Sequence, residues 1–177
     1  MPNTKHYIIT AITLGLIGAA SAGAIGLTNA ITKNKIAENE SNKIQAGITE
    51  IFGQNSTILD EQNLDGEEYT KIVYTVKTNE SGSNHYAFRT DGSNMYGKIS
   101  LLVGFNDLNQ FKGMSIIVNE QTYASTLVEN YVDPIKNANN KEDAIEDVKC
   151  GATWGATLIR DMINDAHGVV TKINQKE

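Results

Sequence analysis

The chain contains one cysteine and three histidines in 177 residues, too few for several kinds of site. With Cys150 alone, no internal disulfide and no cysteine-based zinc site can form. His6, His85 and His167 are too widely scattered to indicate a cluster of metal ligands. Basic residues are also few, 15 against 21 acidic residues, for a net charge of -6. Phosphate neutralisation needs a basic face, so this charge argues against nucleic acid as a partner.

The overall composition is that of a folded protein. Hydrophobic residues make up 40% and charged residues 20% of the chain, which rules out a fully disordered protein. A chain of this length can bury an adequate core in one domain without a disulfide or a metal. One domain, with an additional tail or anchor, is therefore the expectation.

The residues from Tyr7 to Leu27 form an uncharged apolar run, YIITAITLGLIGAASAGAIGL. A helix of this length spans about 30 Å, the thickness of a bilayer's hydrocarbon core. Two interpretations compete: a single-pass anchor, and a cleaved signal peptide with Ala20-Ser21-Ala22 as the cleavage site. The run continues to Leu27, beyond that site, which favours the anchor. Lysines flank both ends, so charge does not fix the orientation.

The remainder reads as one α+β domain. Residues 1–6 form a short flank, residues 28–54 a connecting helix that Gly53 ends, and residues 55–177 the domain. Four strands are predicted from β-branched, aromatic and alternating residues: Tyr69–Thr78, His85–Thr90, Ile99–Phe105 and Met114–Asn119. A short helix over residues 122–131 is expected to stop near Pro134. A last amphipathic helix is expected from Thr153 to about Ala166, with Trp154 in its apolar stripe.

The most distinctive segment is Asp147-Val148-Lys149-Cys150-Gly151-Ala152-Thr153-Trp154. It predicts a tight turn of small residues that leads into a helix N-terminus. The first N–H groups of a helix attract anions, so a phosphate beside or joined to Thr153 would be held well. The alternative is plain capping, in which Thr153 is the N-cap of a core helix.

The run Cys150-Gly151-Ala152-Thr153 after Asp147 resembles the flavinylation motif of FMN-binding domains. These domains occur in the flavin-carrying extracytoplasmic subunits of the Rnf complex and of the sodium-translocating NADH:quinone reductase. The family pattern is Asp, two variable residues, Ser or Thr, Gly, Ala, Thr. The resemblance implies that the Thr153 hydroxyl takes FMN through a phosphoester, placed by a separate flavin transferase. It also implies cofactor contacts for Asp147, Cys150, Gly151 and Ala152.

The chain departs from the family pattern at two positions near this motif. Cys150 stands where the family has Ser or Thr; cysteine is similar in size but cannot make the hydrogen bond of a hydroxyl. Gly155 stands where the family frequently has a residue with a hydroxyl group. A weaker match lies upstream, where Asn119-Glu120-Gln121-Thr122-Tyr123 stands in place of a Glu-Thr-Pro-Gly-type loop. By that match Glu120 and Thr122 are candidate flavin neighbours.

The resemblance implies a fold and a function. The fold is α+β: a single N-terminal transmembrane helix, then an antiparallel-sheet FMN-binding domain that ends in a C-terminal helix. The function is an electron-carrying subunit of an oxidoreductase complex rather than a free-standing enzyme, with the soluble domain extracytoplasmic. Its partners are the flavin transferase, membrane lipid and membrane redox proteins that donate or accept electrons.

A second hypothesis belongs to another class. The chain is then a membrane-tethered binding or interaction module that has this fold and carries no flavin. A hydrolase has no support, since the sequence contains no Gly-rich P-loop, no Ser-centred nucleophile elbow and no paired catalytic carboxylates. The mass of the mature protein separates the first two hypotheses.

Overall fold

A computed structural model describes residues 4–78, 84–136 and 151–175. Within these residues a long helix precedes a five-stranded sheet, three short helical segments and a last helix. In chain order they are α1 (Thr4–Phe52), β1 (Thr57–Asn63), β2 (Thr70–Lys77), β3 (His85–Asn94), β4 (Gly97–Phe105), β5 (Phe111–Asn119), α2 (Ala124–Leu127), a π-helical segment (Val128–Val132), α3 (Asp133–Ile135) and α4 (Thr153–Asn174). The prediction of an α+β fold with an N-terminal apolar helix, an antiparallel sheet and a C-terminal helix is confirmed.

The chain divides into two compact units, Met1–Asn42 and Lys43–Glu177. In the first unit every described residue belongs to α1. Its apolar side chains are not covered by protein; Leu16 and Ile25, for example, are 66% and 70% exposed. This helix is long and apolar enough to cross a membrane, in agreement with the span predicted at Tyr7–Leu27.

The second unit is built on an antiparallel meander in which the five strands lie in chain order. Alternate residues of β4 enter two different hydrophobic cores, Leu101 and Val103 on one face and Leu102 on the other. The last turns of α1 cover the Leu102 face with Ile44 and Ile48. On the opposite face, α4 contributes Leu158, Ile159, Met162, Ile163, Ala166, Val169 and Val170.

The sheet is larger than the sequence patterns indicate. Strand β1 is not predicted, because six of the seven residues in TILDEQN are exposed and show no apolar alternation. It lies at the edge of the sheet and pairs with β2, where little apolar surface is needed. Strand β3 continues beyond the predicted end at Thr90 to Asn94, since Asp91 pairs with Ser100 and Asn94 with Gly97.

The prediction that the last helix ends near Ala166 is wrong, because α4 continues to Asn174. Gly168 does not interrupt the helix. It is exposed, and a Cβ added there would meet nothing within 4 Å. Val169 and Val170 then return to the core at helical spacing. Core packing therefore outweighs the low helix propensity of one exposed glycine.

The short helix predicted over residues 122–131 is present, and its last helical residue is Ile135, near Pro134 as predicted. Helical segments follow one another from Ala124 to Ile135, with Val128–Val132 in π-helical geometry. Pro134 lies in the first turn of α3, where a missing N–H is tolerated. Tyr131 is 2% exposed and fixes this segment in the core.

A carboxylate on α4 fixes the start of β2. Asp165 Oδ2 accepts hydrogen bonds from the Tyr69 N–H at 3.1 Å, the Thr70 N–H at 2.7 Å and the Thr70 hydroxyl at 2.6 Å. We expect Asp165→Ala to lower the free energy of unfolding by about 1.5–3 kcal/mol, because buried donors lose a charged acceptor. Asp161→Ala, which removes a carboxylate 46% exposed, is the control and should change it by less than about 0.5 kcal/mol. Equal losses for both variants in urea unfolding would contradict this role.

An ion pair joins the end of α1 to α3. Lys136 Nζ donates to Glu50 Oε1 at 2.7 Å and the Ser115 hydroxyl donates to Oε2 at 2.8 Å. The Lys136 hydrogen bond lowers the pKa of Glu50, so the pair stabilises the fold above the ordinary glutamate pKa of about 4.3. That contribution is lost as pH falls through the lowered pKa.

We expect Lys136→Met to cost less than about 1 kcal/mol at neutral pH, because both side chains are partly exposed. The difference from the wild type should shrink as the solution is acidified below the ordinary glutamate pKa. Denaturant unfolding over a pH series measures it. A difference that stays constant into acid would show that the lysine acts through packing alone.

Candidate functional site

Three loops of the second unit meet at one cavity of about 70 Å³. They are the β3–β4 turn, the segment after β5 and the start of α4. The lining residues are Tyr96, Gln121, Tyr123, Leu127, Gly151, Ala152, Thr153, Trp154 and Gly155. Of the residues predicted from the motif, Gly151, Ala152 and Thr153 therefore share one cavity. Asp147 and Cys150 lie outside the described residues.

Thr153 is the first residue of α4, and its side chain is exposed. The expectation that Thr153 is the N-cap is wrong: Ala152 holds that position, and no side chain caps the helix. The first backbone bonds run from the N–H groups of Gly155 and Ala156 to Ala152 O, at 3.0 and 3.1 Å. Within the described ranges the Thr153 hydroxyl has no hydrogen-bond partner, so it does not cap the helix.

Two glycines shape the entry to α4. Gly151 has φ +76°, in the left-handed region that side chains with a Cβ avoid. This turn places Ala152 in the core, at 9% exposure, and leaves Thr153 outside. A Cβ at Gly155 would lie 2.7 Å from Leu127 Cδ2, so any larger residue here would require the Leu127 side chain to shift.

The segment after β5 places an unexpected residue in the cavity. Glu120 and Thr122, the predicted flavin neighbours, are both exposed and are not among the lining residues. Their backbone N–H groups donate to Lys98 O at 2.8 Å and Tyr96 O at 2.9 Å, which fastens the segment to the β3–β4 turn. Between them Gln121 points inward and is 7% exposed.

An amide network joins these loops to α4. Gln121 Nε2 donates to Gly97 O and to Asn94 Oδ1, the latter at 3.1 Å. Asn94 Nδ2 donates in turn to Trp154 O, in the first turn of α4, at 3.1 Å. Asn94 falls in a stretch whose polarity predicts only a loop, so sequence reasoning missed it. The only indication in the sequence was an asparagine beside a predicted turn, because asparagine side chains at turns often hydrogen-bond to nearby backbone groups.

The rim of the cavity is aromatic. Trp154, expected in the apolar stripe of the last helix, is instead 63% exposed, and Tyr123 is 56% exposed. The rings of Tyr96 and Tyr123 lie 6.2 Å apart at 59°. The described residues that line the cavity are all uncharged. Among them, the helix N-terminus is therefore the source of attraction for an anion, although the chain as a whole is acidic.

Comparison with known families bears on the N-terminal region. Residues 1–51 match the family model described as the RnfG N-terminal region. No curated protein matches the chain. The matched residues include the helix that is long and apolar enough to cross a membrane, and they end before the sheet begins. The N-terminal region of this chain is therefore similar to that of RnfG.

Proposed function

We propose that this chain carries FMN covalently on Thr153 and relays electrons in an extracytoplasmic or membrane redox chain. The observation that carries the proposal is the Thr153 hydroxyl, exposed and without a hydrogen-bond partner in the described residues, on the first residue of α4. The motif around it resembles the FMN attachment sequence, and the N-terminal region matches that of RnfG. A threonine that only capped the helix would have its oxygen bonded to backbone N–H groups.

The residues at the site fit a phosphate ester. The first N–H groups of α4 have no intrahelical partner, and the helix dipole adds partial positive charge where the phosphate would lie. Gly151 and Ala152 carry little or no side chain to obstruct it. Among the described lining residues there is no carboxylate that would repel an anion.

The size of the cavity bears on where a flavin ring would lie. Small-molecule pockets that enclose their ligand usually measure about 300–1,000 Å³, whereas this cavity measures about 70 Å³. A ring joined to Thr153 would therefore extend beyond this cavity, and the exposed Tyr123 and Trp154 side chains at the rim would be available to contact it. FMN supplies one- or two-electron chemistry, and the protein supplies attachment and orientation. An exposed ring suits transfer to and from a partner protein.

The proposed attachment requires a flavin transferase. The new bond joins Thr153 Oγ1 to the phosphorus of an FMN unit supplied as a phosphoanhydride such as FAD; the P–O bond of the anhydride breaks, AMP leaves with the electron pair, and the hydroxyl proton is released. Covalent linkage keeps a domain outside the cell from losing its cofactor by dilution. The membrane helix holds the domain near membrane redox partners that donate or accept electrons.

Intact mass measurement of the full chain tests this function. We expect the chain co-expressed with a flavin transferase to be yellow and heavier by one FMN less one water. The same chain expressed without the transferase should have the mass of the bare sequence. Equal masses in the two preparations would contradict the proposal and favour a tethered interaction module without flavin.

A further inference from the structure

Gln121 presents a free hydrogen-bond acceptor at the candidate site. Its side chain lines the cavity, and its Oε1 lies 3.4 Å from the position that a Cβ on Gly155 would take. Both protons of its Nε2 are used, in the bonds to Gly97 O and Asn94 Oδ1. Within residues 4–78, 84–136 and 151–175 no group donates to Oε1. Gln121 as a residue is only 7% exposed, so its Oε1 is an acceptor held in place at the cavity wall, where a ligand in the cavity could donate to it.

The surrounding bonds fix which end of the amide faces the cavity. Gly97 O can only accept, so the atom of Gln121 that faces it must be nitrogen. Asn94 is fixed in the same way, because the Tyr96 N–H donates to its Oδ1 at 2.9 Å and its Nδ2 donates to Trp154 O. Reversing either amide would bring two donors or two acceptors together. Oxygen is therefore the atom that Gln121 offers to the cavity.

We propose that Gln121 Oε1 accepts a hydrogen bond from the nucleotide carried on Thr153, an inference that rests on the proposed function. The donor is an N–H of the flavin ring or a hydroxyl of the ribityl chain, the two donor types that FMN carries. The phosphate is excluded, because an anionic acceptor does not bond to an amide oxygen. Gln121 thus orients the nucleotide: phosphate toward the first N–H groups of α4, donor groups toward the β3–β4 turn.

The first test uses the wild-type full chain in detergent, prepared with and without the flavin transferase. The side-chain amide resonance of Gln121 is followed by NMR, with that of Gln62 on edge strand β1 as the control. Attachment of FMN, confirmed by mass, is expected to move the Gln121 signal and leave the Gln62 signal in place. An unmoved Gln121 signal in a chain that carries FMN overturns the inference and leaves the proposed function intact. A chain that gains no FMN overturns both.

The second test compares Gln121→Met with the matched variant Gln62→Met. Attached FMN is expected in both variants by mass, because Thr153 is unchanged. The fluorescence anisotropy of the flavin should fall in Gln121→Met, since the ring or ribityl chain loses a fixed contact, and should match the wild type in Gln62→Met. A shifted visible spectrum in Gln121→Met identifies a ring N–H as the donor, and an unshifted spectrum with lowered anisotropy identifies a ribityl hydroxyl. Unchanged anisotropy in a folded Gln121→Met variant contradicts the contact; if that variant does not fold, the wild-type NMR experiment decides.

Discussion

Thr153→Val is expected to remove covalent FMN completely while the domain stays folded. The variant lacks the only atom to which the phosphoester can be formed at this position. The wild-type hydroxyl is exposed and makes no hydrogen bond in the described part of the chain, so its removal should change the free energy of unfolding by less than about 0.5 kcal/mol. Intact mass and in-gel fluorescence of the denatured band, after co-expression with a flavin transferase, measure attachment directly.

Two variants sharpen this experiment. Thr157→Val removes a hydroxyl one turn further along α4 and should leave attachment unchanged, which controls for a general effect of valine in this helix. Thr153→Ser keeps the hydroxyl and should retain attached flavin. Fluorescent Thr153→Val protein would place the flavin on another residue and remove the present basis for the electron-relay proposal.

The position of the candidate acceptor was readable from sequence, but the cavity around it was not. The order of Gly151, Ala152 and Thr153 before an amphipathic helix predicts a turn and a helix start, and these depend on neighbouring residues only. Gln121 lines the cavity, and Asn94 bonds to Gln121 and to Trp154 O, although they lie 32 and 59 residues before Thr153 in the chain. Their contacts depend on how the β3–β4 turn and the segment after β5 pack, which no local pattern encodes.

The same division between local and tertiary causes applies to the fold. The apolar run at Tyr7–Leu27 and the central strands follow from composition and alternation. Strand β1 and the end of α4 were not predicted, since both depend on partners elsewhere in the fold. β1 is held by backbone pairing to β2, and α4 continues past Gly168 because later residues reach the core. Helical spacing assigned Trp154 to the apolar stripe of the last helix, whereas its side chain is exposed at the rim of the cavity.

Gly97→Ala is expected to cause the largest loss of stability among the variants considered. Gly97 has φ +134°, and a Cβ there would lie 2.1 Å from Glu120 O and 2.6 Å from the carbonyl carbon of that residue. Both neighbours are backbone atoms, so the clash cannot be relieved by rotating a side chain. Their segment is also held by the hydrogen bonds from the Glu120 and Thr122 N–H groups to Lys98 O and Tyr96 O. We expect a loss of more than about 4 kcal/mol in the free energy of unfolding, the range of the most damaging substitutions.

Gly66→Ala separates backbone strain from this clash. Gly66 also has a positive φ, +93°, but a Cβ there would meet nothing within 4 Å, so only the strain of about 1–2 kcal/mol is expected. The difference between the two variants in free energy of unfolding measures how tightly the segment after β5 is held against the β3–β4 turn. The same packing places Gln121 at the cavity. At low temperature, where the variant remains folded, attached flavin should therefore show lower anisotropy in Gly97→Ala than in Gly66→Ala. Equal unfolding free energies for the two variants would mean that the segment moves aside at little cost, and the cavity beside Thr153 would then not be a rigid site.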